Sequence, residues 1–217
     1  TLSLHDALPI LSLEDFSPAD AASKQAARAH FGLSEGPVIT CISRLVPRKG
    51  QDQLLRALPQ VRQRFPDAQL LIIGRGRYRA ALSELADIYA PDVIIREAKD
   101  SEELQQALHA ADVFAMPART RGRGLDVEGL GIVYLEAQAS GIPVVAGDSG
   151  GAPETVTPES GIVVHGSSVP ELVEALCTLL GDASLAHRMG RAGRTHVEQE
   201  WTWEIMGERL RRILDEE

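Results

Sequence analysis

Aromatic residues are scarce in this chain of 217 residues, where Phe, Trp and Tyr together make up only 4%. Because 44% of the residues are hydrophobic, we expect a core built from Leu, Val, Ile and Ala. Cysteine is also scarce, since Cys41 and Cys177 are the only two and they lack metal-ligand spacing. Both lie in apolar segments, which predicts two buried thiols and suits a reducing cytoplasm.

Positive charge is in deficit, with 22 Lys and Arg against 31 Asp and Glu and a net charge of −9. A general nucleic-acid-binding protein needs clustered Lys and Arg, so we expect no nucleic-acid partner. No apolar run approaches the roughly 18–20 residues that a membrane-spanning helix needs. Residues 1–10 fit no pattern found later in the chain, and residues 1–17 are expected to be a linker or a non-native leader.

Short apolar runs alternate with helical patterns over residues 18–217. The runs are continuous rather than alternating, which indicates strands buried on both faces. Strands are predicted at residues 38–43, 70–73, 93–95, 112–116, 143–146 and 161–164. Helices are predicted at 18–31, 50–65, 78–89, 101–110, 132–140, 169–180, 184–197 and 202–215, with Ser17 and Ser101 as N-caps. The fold class is therefore α/β, a doubly wound, Rossmann-like parallel sheet of about six strands with helices on both faces, followed by C-terminal helices.

Ligands of such folds bind at the carboxyl ends of the strands, and a basic segment follows the first strand there. In Ser43-Arg44-Leu45-Val46-Pro47-Arg48-Lys49-Gly50, two or three cations precede a helix. Arg44 offers a planar fork of donors and Lys49 a compact charge, which suits a diphosphate. The alternative is a solvated basic loop.

The loop and helix at residues 119–136 are the most informative stretch. Gly129 and Gly131 allow close approach of a ligand to the backbone, and the first N–H groups of the following helix favour an anion. Glu128 is placed to accept hydrogen bonds from sugar hydroxyls, and Glu136 to bind both hydroxyls of a ribose. Alternatively, Glu128 is an ordinary first-turn carboxylate, and Glu136 is buried against a structural Arg.

Two other glycine pairs follow strands. Gly74-Arg75-Gly76 resembles half of a dinucleotide fingerprint, but Arg79 stands where the third glycine belongs, so a tight turn is favoured over nicotinamide binding. Gly150-Gly151-Ala152-Pro153-Glu154 starts a short helix, and its backbone is expected to face the same cleft. A plain connection between strand and helix is the alternative.

Three motifs in this order carry a family resemblance: Ser43–Gly50, the pair Glu128 and Glu136, and Gly150–Glu154. Together they resemble the C-terminal, donor-binding domain of retaining glycosyltransferases of family 4, which have two Rossmann domains. Residues 114–151 are similar to actinobacterial phosphatidylinositol mannosyltransferases. The resemblance covers the chain from about residue 18 to its end.

The resemblance implies specific roles for single residues in a reaction that uses no metal or other cofactor. Arg44 and Lys49 would bind the donor diphosphate and stabilise the leaving nucleoside diphosphate, Glu128 would contact the transferred sugar, and Glu136 the ribose. The other implied donor contacts are Gly74, Arg96, Ala98, Gly129, Leu130, Gly131 and Ile132. Arg96-Glu97-Ala98 would lie near the base, where the family pattern Phe-x-Gly is not kept, so the base stays open.

The function implied is transfer of a hexose, mannose from GDP-mannose, to a lipid or glycan such as phosphatidylinositol mannoside. The acceptor would bind an N-terminal domain absent from this chain, so the fragment is expected to bind donor but to catalyse poorly. The parent would be cytoplasmic and associate with the inner face of the plasma membrane. Alternatives are a stand-alone, non-catalytic nucleotide-sugar-binding module and a nicotinamide oxidoreductase, which would need a full glycine fingerprint after the first strand.

Overall fold

Six parallel strands form one sheet in the order β3-β2-β1-β4-β5-β6 in the computed structural model, which describes residues 11–215. Most of the predicted leader, residues 1–10, lies outside the described residues. The strands are β1 (Val38–Ile42), β2 (Gln69–Ile73), β3 (Ile94–Arg96), β4 (Val113–Met116), β5 (Val144–Gly147) and β6 (Gly161–Val164). Every neighbouring pair is parallel, so the predicted doubly wound sheet is confirmed.

Helices cover both faces of this sheet. They are α1 (Ala21–Phe31), α2 (Gln51–Arg62), α3 (Arg79–Tyr89), α4 (Ser101–His109), α5 (Ile132–Ala139), α6 (Val169–Gly181), α7 (Ala183–Glu200) and α8 (Trp203–Asp215). Helix α2 packs against α3 and α6, whereas α4 packs against α1 and α5 against α7. Between residues 11 and 215, no helix combines the length and the hydrophobicity needed to cross a bilayer.

The core is aliphatic, as predicted. Strands β1, β4 and β5 are fully buried and β2 nearly so, whereas the edge strands β3 and β6 are partly exposed. Among the largest fully buried side chains only Tyr134 and Phe114 are aromatic. Their rings pack edge to face with centroids 6.0 Å apart. Cys41 and Cys177 are buried free thiols, as expected, and burial raises the pKa of the Cys41 thiol to about 12.

The predicted N-caps were both wrong, because a nearby aspartate takes each role. Asp20 is extended and its carboxylate accepts a 2.7 Å hydrogen bond from the Ser23 amide, so α1 begins at Ala21 rather than after Ser17. Asp100 likewise accepts from the Glu103 amide at 2.9 Å, which makes Ser101 the first residue of α4. An ionised carboxylate at this position also interacts favourably with the helix dipole.

The first described residues lie against the domain. Leu11 is buried with Leu135, Ala139 and Val197, which belong to α5 and α7. The guanidinium of Arg194 donates a 2.6 Å hydrogen bond to the carbonyl of Phe16. These contacts hold the segment that precedes α1 against α5 and α7.

Candidate functional site

A cleft of about 750 Å³ opens at the carboxyl ends of β1, β2 and β3, facing the N-terminus of α5. The structure brings together here most of the residues singled out from the sequence: Arg44, Lys49, Gly74, Ala98, Glu128, Leu130, Gly131, Ile132 and Glu136. Gly129 and Arg96 are not among the residues that line it. The cleft therefore joins segments from both halves of the sheet.

A buried ion pair closes the floor of the cleft. The ammonium Nζ of Lys49 lies 2.7 Å from Oε2 of Glu128, and Nε of Arg48 lies 3.7 Å from the same oxygen. Lys49 is 7% exposed and Glu128 is 6% exposed. A 3-10 turn at Pro47–Lys49 presents the lysine to the cleft. An ammonium has three N–H donors, so this pairing leaves others for a second anion.

The N-terminus of α5 is shaped for an approaching ligand. Gly131 is the N-cap with φ of 80°, and a Cβ there would lie 2.5 Å from Cε2 of Tyr134. The Tyr134 hydroxyl in turn donates to the Met116 carbonyl at 2.5 Å, which fastens α5 to the end of β4. The first N–H groups of the helix lack intrahelical partners and carry partial positive charge, so this end favours an anion.

Glu136 lies in the second turn of α5 and lines the cleft. Burial raises its pKa from 4.5 to about 7, because no described group compensates for lost hydration. The predicted alternative, a structural Arg partner, is absent among residues 11–215. Its carboxylate therefore remains available to hydroxyl groups of a ligand.

Arg44 stands at the rim of the cleft with its side chain exposed. The backbone beneath it is held by Gln51, whose amide Nε2 donates to the Arg44 carbonyl at 2.9 Å and to the Ser43 hydroxyl at 2.7 Å. Gln51 is fully buried at the start of α2. Sequence reasoning missed this support, because it depends on how the start of α2 packs against the loop that precedes it.

Arg96 does not reach the cleft. Its guanidinium forms an ion pair with Glu103 and lies 5.3 Å from the centre of the Phe31 ring. Successive side chains of a strand point to opposite faces, and at the end of β3 this alternation turns Arg96 away. Ala98 and Glu97 line the cleft as predicted, together with two residues that sequence reasoning missed, Lys99 and Asp100.

Glu103 holds this wall of the cleft in place. Its carboxylate accepts a 2.8 Å hydrogen bond from His30 and a 2.7 Å hydrogen bond from the Lys99 amide, besides pairing with Arg96. These donors, with His30 the largest cause, lower the pKa of Glu103 to about 2. One buried carboxylate thus ties the loop after β3 to α1 and α4.

Gly150 and Gly151 support the site from behind rather than lining it, contrary to expectation. The Gly151 amide donates to the Gly129 carbonyl at 3.0 Å, and a Cβ on Gly150 would lie 1.8 Å from the Glu128 carbonyl oxygen. The preceding Ser149 accepts a 3.1 Å hydrogen bond from the Glu128 amide. The short helix predicted here is a 3-10 turn at Ala152–Thr155.

Comparison with known proteins identifies this architecture. Residues 23–196 match the family model described as glycosyl transferases group 1. The chain belongs to this family. A solved C-terminal domain of a group 1 glycosyl transferase from Francisella tularensis has the same fold, with a TM-score of 0.76 and 22% identity over 89% of this chain and 99% of that chain.

Two curated relatives of this glycosyl transferase chain carry more specific names. A GDP-mannose-dependent monoacylated α-(1-6)-phosphatidylinositol monomannoside mannosyltransferase of Corynebacterium glutamicum is 57% identical over 208 residues, which is 95% of this chain and 55% of the relative. A GDP-mannose-dependent α-(1-6)-phosphatidylinositol monomannoside mannosyltransferase of Mycolicibacterium smegmatis is 49% identical, covering 95% and 54% respectively. The chain therefore spans about half the length of these relatives.

The cleft of this glycosyl transferase domain mixes both signs of charge. Cations come from Arg44, Lys49, Arg75 and Lys99, and anions from Glu97, Asp100, Glu128 and Glu136. Within the described part of the chain, no group of three or more His, Cys, Asp and Glu is arranged to hold a metal ion. Such a cleft can bind a ligand that carries both phosphates and hydroxyl groups.

Proposed function

We propose that this chain is the donor-binding half of a hexosyltransferase that transfers mannose from GDP-mannose. The observation that best supports this function is that Lys49, Glu128 and the N-terminus of α5 meet in one cleft. They lie beside the carboxylate of Glu136, which has no partner among residues 11–215. The 57% identity to a GDP-mannose-dependent mannosyltransferase supports this donor. In this assignment Glu136 binds the ribose, Glu128 the sugar, and Arg44 and Lys49 the diphosphate.

The chemistry proposed is electrostatic and independent of metal. As the bond from the sugar anomeric carbon to the phosphate oxygen breaks, its electron pair and the growing charge move to the diphosphate. Arg44, Lys49 and the backbone N–H groups of Gly131 and Ile132 stabilise that charge without reorganising. The oxygen of the acceptor hydroxyl bonds to the anomeric carbon on the face from which the diphosphate leaves, so the configuration of the donor is retained. Its proton passes to the departing diphosphate oxygen, on which the negative charge has grown.

Guanine suits the wall at the far end of the cleft. Its ring edge carries N–H donors, and the wall supplies the carboxylates of Glu97 and Asp100 as acceptors. The acceptors on this wall therefore favour a guanine nucleotide.

The acceptor proposed is a phosphatidylinositol-type lipid mannoside, as the names of the two relatives suggest. It would bind to the other half of a parent protein, since this chain matches only 55% of the length of the first relative. The parent would work in the cytoplasm at the inner face of the plasma membrane. This chain alone is expected to bind donor and to turn it over poorly.

A ligand-detected NMR screen tests the donor. GDP-mannose, UDP-glucose and ADP-glucose are each mixed with the chain, and saturation transfer to the sugar and base protons is recorded. We expect saturation transfer to GDP-mannose, which GDP abolishes by competition, and we expect a Glu136→Ala variant to need more GDP-mannose to reach the same transfer. Preference for UDP-glucose or ADP-glucose would contradict the proposed donor, and no transfer to any donor would contradict the proposed site.

A further inference from the structure

A small projection precedes Glu128 and takes no part in the donor site. Backbone hydrogen bonds join Arg121 and Asp126 in both directions, from Arg121 N to Asp126 O at 2.9 Å and from Asp126 N to Arg121 O at 3.1 Å. A turn at Gly122–Gly124 connects them. We call residues 119–127 the arginine hairpin.

The base of the arginine hairpin is fixed by side chains on both sides. Arg119 pairs with the buried Asp52 at 2.9 Å, and Arg48 pairs with Asp126 at 3.1 Å. Thr120 and Ser149 share a 3.1 Å hydrogen bond between their hydroxyls. The hairpin is therefore a supported projection, and its tip is presented in a defined orientation.

The tip combines an exposed hydrophobic side chain with exposed cations. Leu125 is 92% exposed, more than any other large hydrophobic residue in the described part of the chain. Arg121 and Arg123 are exposed, and neither forms an ion pair among residues 11–215. Val127 adds a second exposed apolar side chain. Apolar side chains flanked by arginines are typical of surfaces that enter the interface of an anionic bilayer.

Arg123 adds a backbone observation. With φ of 56° it is the one non-glycine residue in the left-handed region within residues 11–215, although Gly122 and Gly124 stand on either side. Glycine would adopt this conformation without strain. Strained residues of this kind concentrate at sites that contact ligands, so the position favours a role for the arginine side chain.

We propose that the arginine hairpin docks on an anionic phospholipid surface. Leu125 enters the interface, and Arg121 and Arg123 contact lipid phosphates. This inference rests on the proposed function, because a lipid acceptor must be met at a membrane. A chain with a net charge of −9 is repelled by an anionic leaflet, so a local cationic contact is needed to hold and orient it there.

Sedimentation with vesicles tests the contact. The 217-residue chain is mixed with phosphatidylcholine vesicles that contain or lack phosphatidylinositol, and with vesicles that contain phosphatidylglycerol instead. We expect binding to both anionic vesicles and none to pure phosphatidylcholine. The Arg121→Gln/Arg123→Gln variant should bind about 25-fold more weakly, since each of the two arginines near the surface contributes about fivefold. Leu125→Ala should weaken binding several-fold.

Two further variants control for a general loss of positive charge and for misfolding. Arg188→Gln/Arg211→Gln removes the same charge from exposed positions on α7 and α8 and should bind vesicles like the unaltered chain. Arg123→Gly relieves the left-handed strain, so it should fold normally yet lose about fivefold in binding. Equal binding of the unaltered chain and the Arg121→Gln/Arg123→Gln variant, or no binding to anionic vesicles, overturns the proposal and points to a protein contact at the hairpin.

A parallel GDP titration separates this proposal from the proposed function. The Arg121→Gln/Arg123→Gln variant should bind GDP like the unaltered chain. Loss of vesicle binding with intact GDP binding supports the lipid contact. If the unaltered chain binds vesicles through the hairpin but fails to bind GDP, the lipid contact stands and the proposed donor site is rejected.

Discussion

Lys49 Nζ lies 2.7 Å from Glu128 Oε2, and both side chains are more than nine-tenths buried. The lysine follows β1 and the glutamate precedes α5, so the pair joins two loops on neighbouring strands, β1 and β4. A buried pair adds little net stability, but either partner alone is strongly destabilising. The pair therefore fixes the relative position of two groups assigned to the reacting end of the donor.

Removing the lysine should cost stability. Lys49→Ala leaves the buried carboxylate of Glu128 without its nearest cation, so we expect a loss of about 3 kcal/mol in the free energy of unfolding, measured by urea denaturation. Lys49→Met/Glu128→Gln removes both charges and should recover most of that loss. In a full-length parent, both variants should lower turnover by several orders of magnitude. An unchanged urea midpoint for Lys49→Ala would contradict the role of the lysine in compensating the charge of Glu128. Near-normal turnover would contradict its role in catalysis.

The two loop glycines should differ sharply. Gly131→Ala places a methyl group 2.5 Å from the Tyr134 ring at φ of 80°, whereas nothing lies within 4 Å of a Cβ on Gly129. We expect Gly131→Ala to lose about 1–3 kcal/mol of stability and most GDP binding, since α5 must shift. Gly129→Ala is the matched control and should change stability by less than about 0.5 kcal/mol. Equal effects of both substitutions on thermal unfolding would show that the α5 N-terminus is not constrained as described.

The strands were predictable because each is a continuous apolar run, and every predicted boundary lies within one residue of the observed one. The direction in which a side chain points at the end of a strand was not predictable, because it depends on the packing of the neighbouring elements. Arg96 was expected near the base, yet it pairs with Glu103 on α4, while Ala98 lines the cleft. No local pattern distinguishes these two outcomes.

The site residues were recognisable from motifs, but their contacts were not. Lys49 and Glu128 each stand in a motif, and nothing near either residue encodes their pairing. The Gly150-Gly151 turn was expected to face the cleft, whereas its close approach to the Glu128 backbone depends on the packing of β5 beside β4. Contacts between distant segments follow from the assembled sheet rather than from spacing.

Glu136 should make stability depend on pH. Its pKa is about 7 in the folded chain against 4.5 ordinarily, so the folded state binds more protons between these values. The resulting stabilisation is complete below pH 4.5 and is lost as the pH rises through 7. Each unit of pKa shift corresponds to about 1.4 kcal/mol, so Glu136→Gln should gain up to about 3 kcal/mol over the unaltered chain between pH 4.5 and 8. A constant difference in unfolding free energy across that range would refute the burial effect.

Arg44 should contribute to binding and not to folding. Its side chain is exposed at the rim, so Arg44→Ala should change the free energy of unfolding by less than about 0.5 kcal/mol. Loss of a charged donor to the diphosphate should weaken GDP binding about tenfold or more, measured by fluorescence competition. Arg64→Ala, an exposed arginine just beyond the C-terminal end of α2, is the matched control and should leave GDP affinity unchanged. Equal affinities for the Arg44→Ala variant and the unaltered chain would remove Arg44 from the site.

Calorimetric titration with GDP at pH 8, where Glu136 is ionised, tests the nucleotide site most directly. The unaltered chain should bind GDP with one site, and Glu136→Ala should bind it more weakly by about 1–3 kcal/mol, as expected for losing hydrogen bonds to an ionised group. An identical titration curve for Glu136→Ala, or no heat of binding with the unaltered chain, would contradict the assignment of this cleft to a nucleotide-sugar donor.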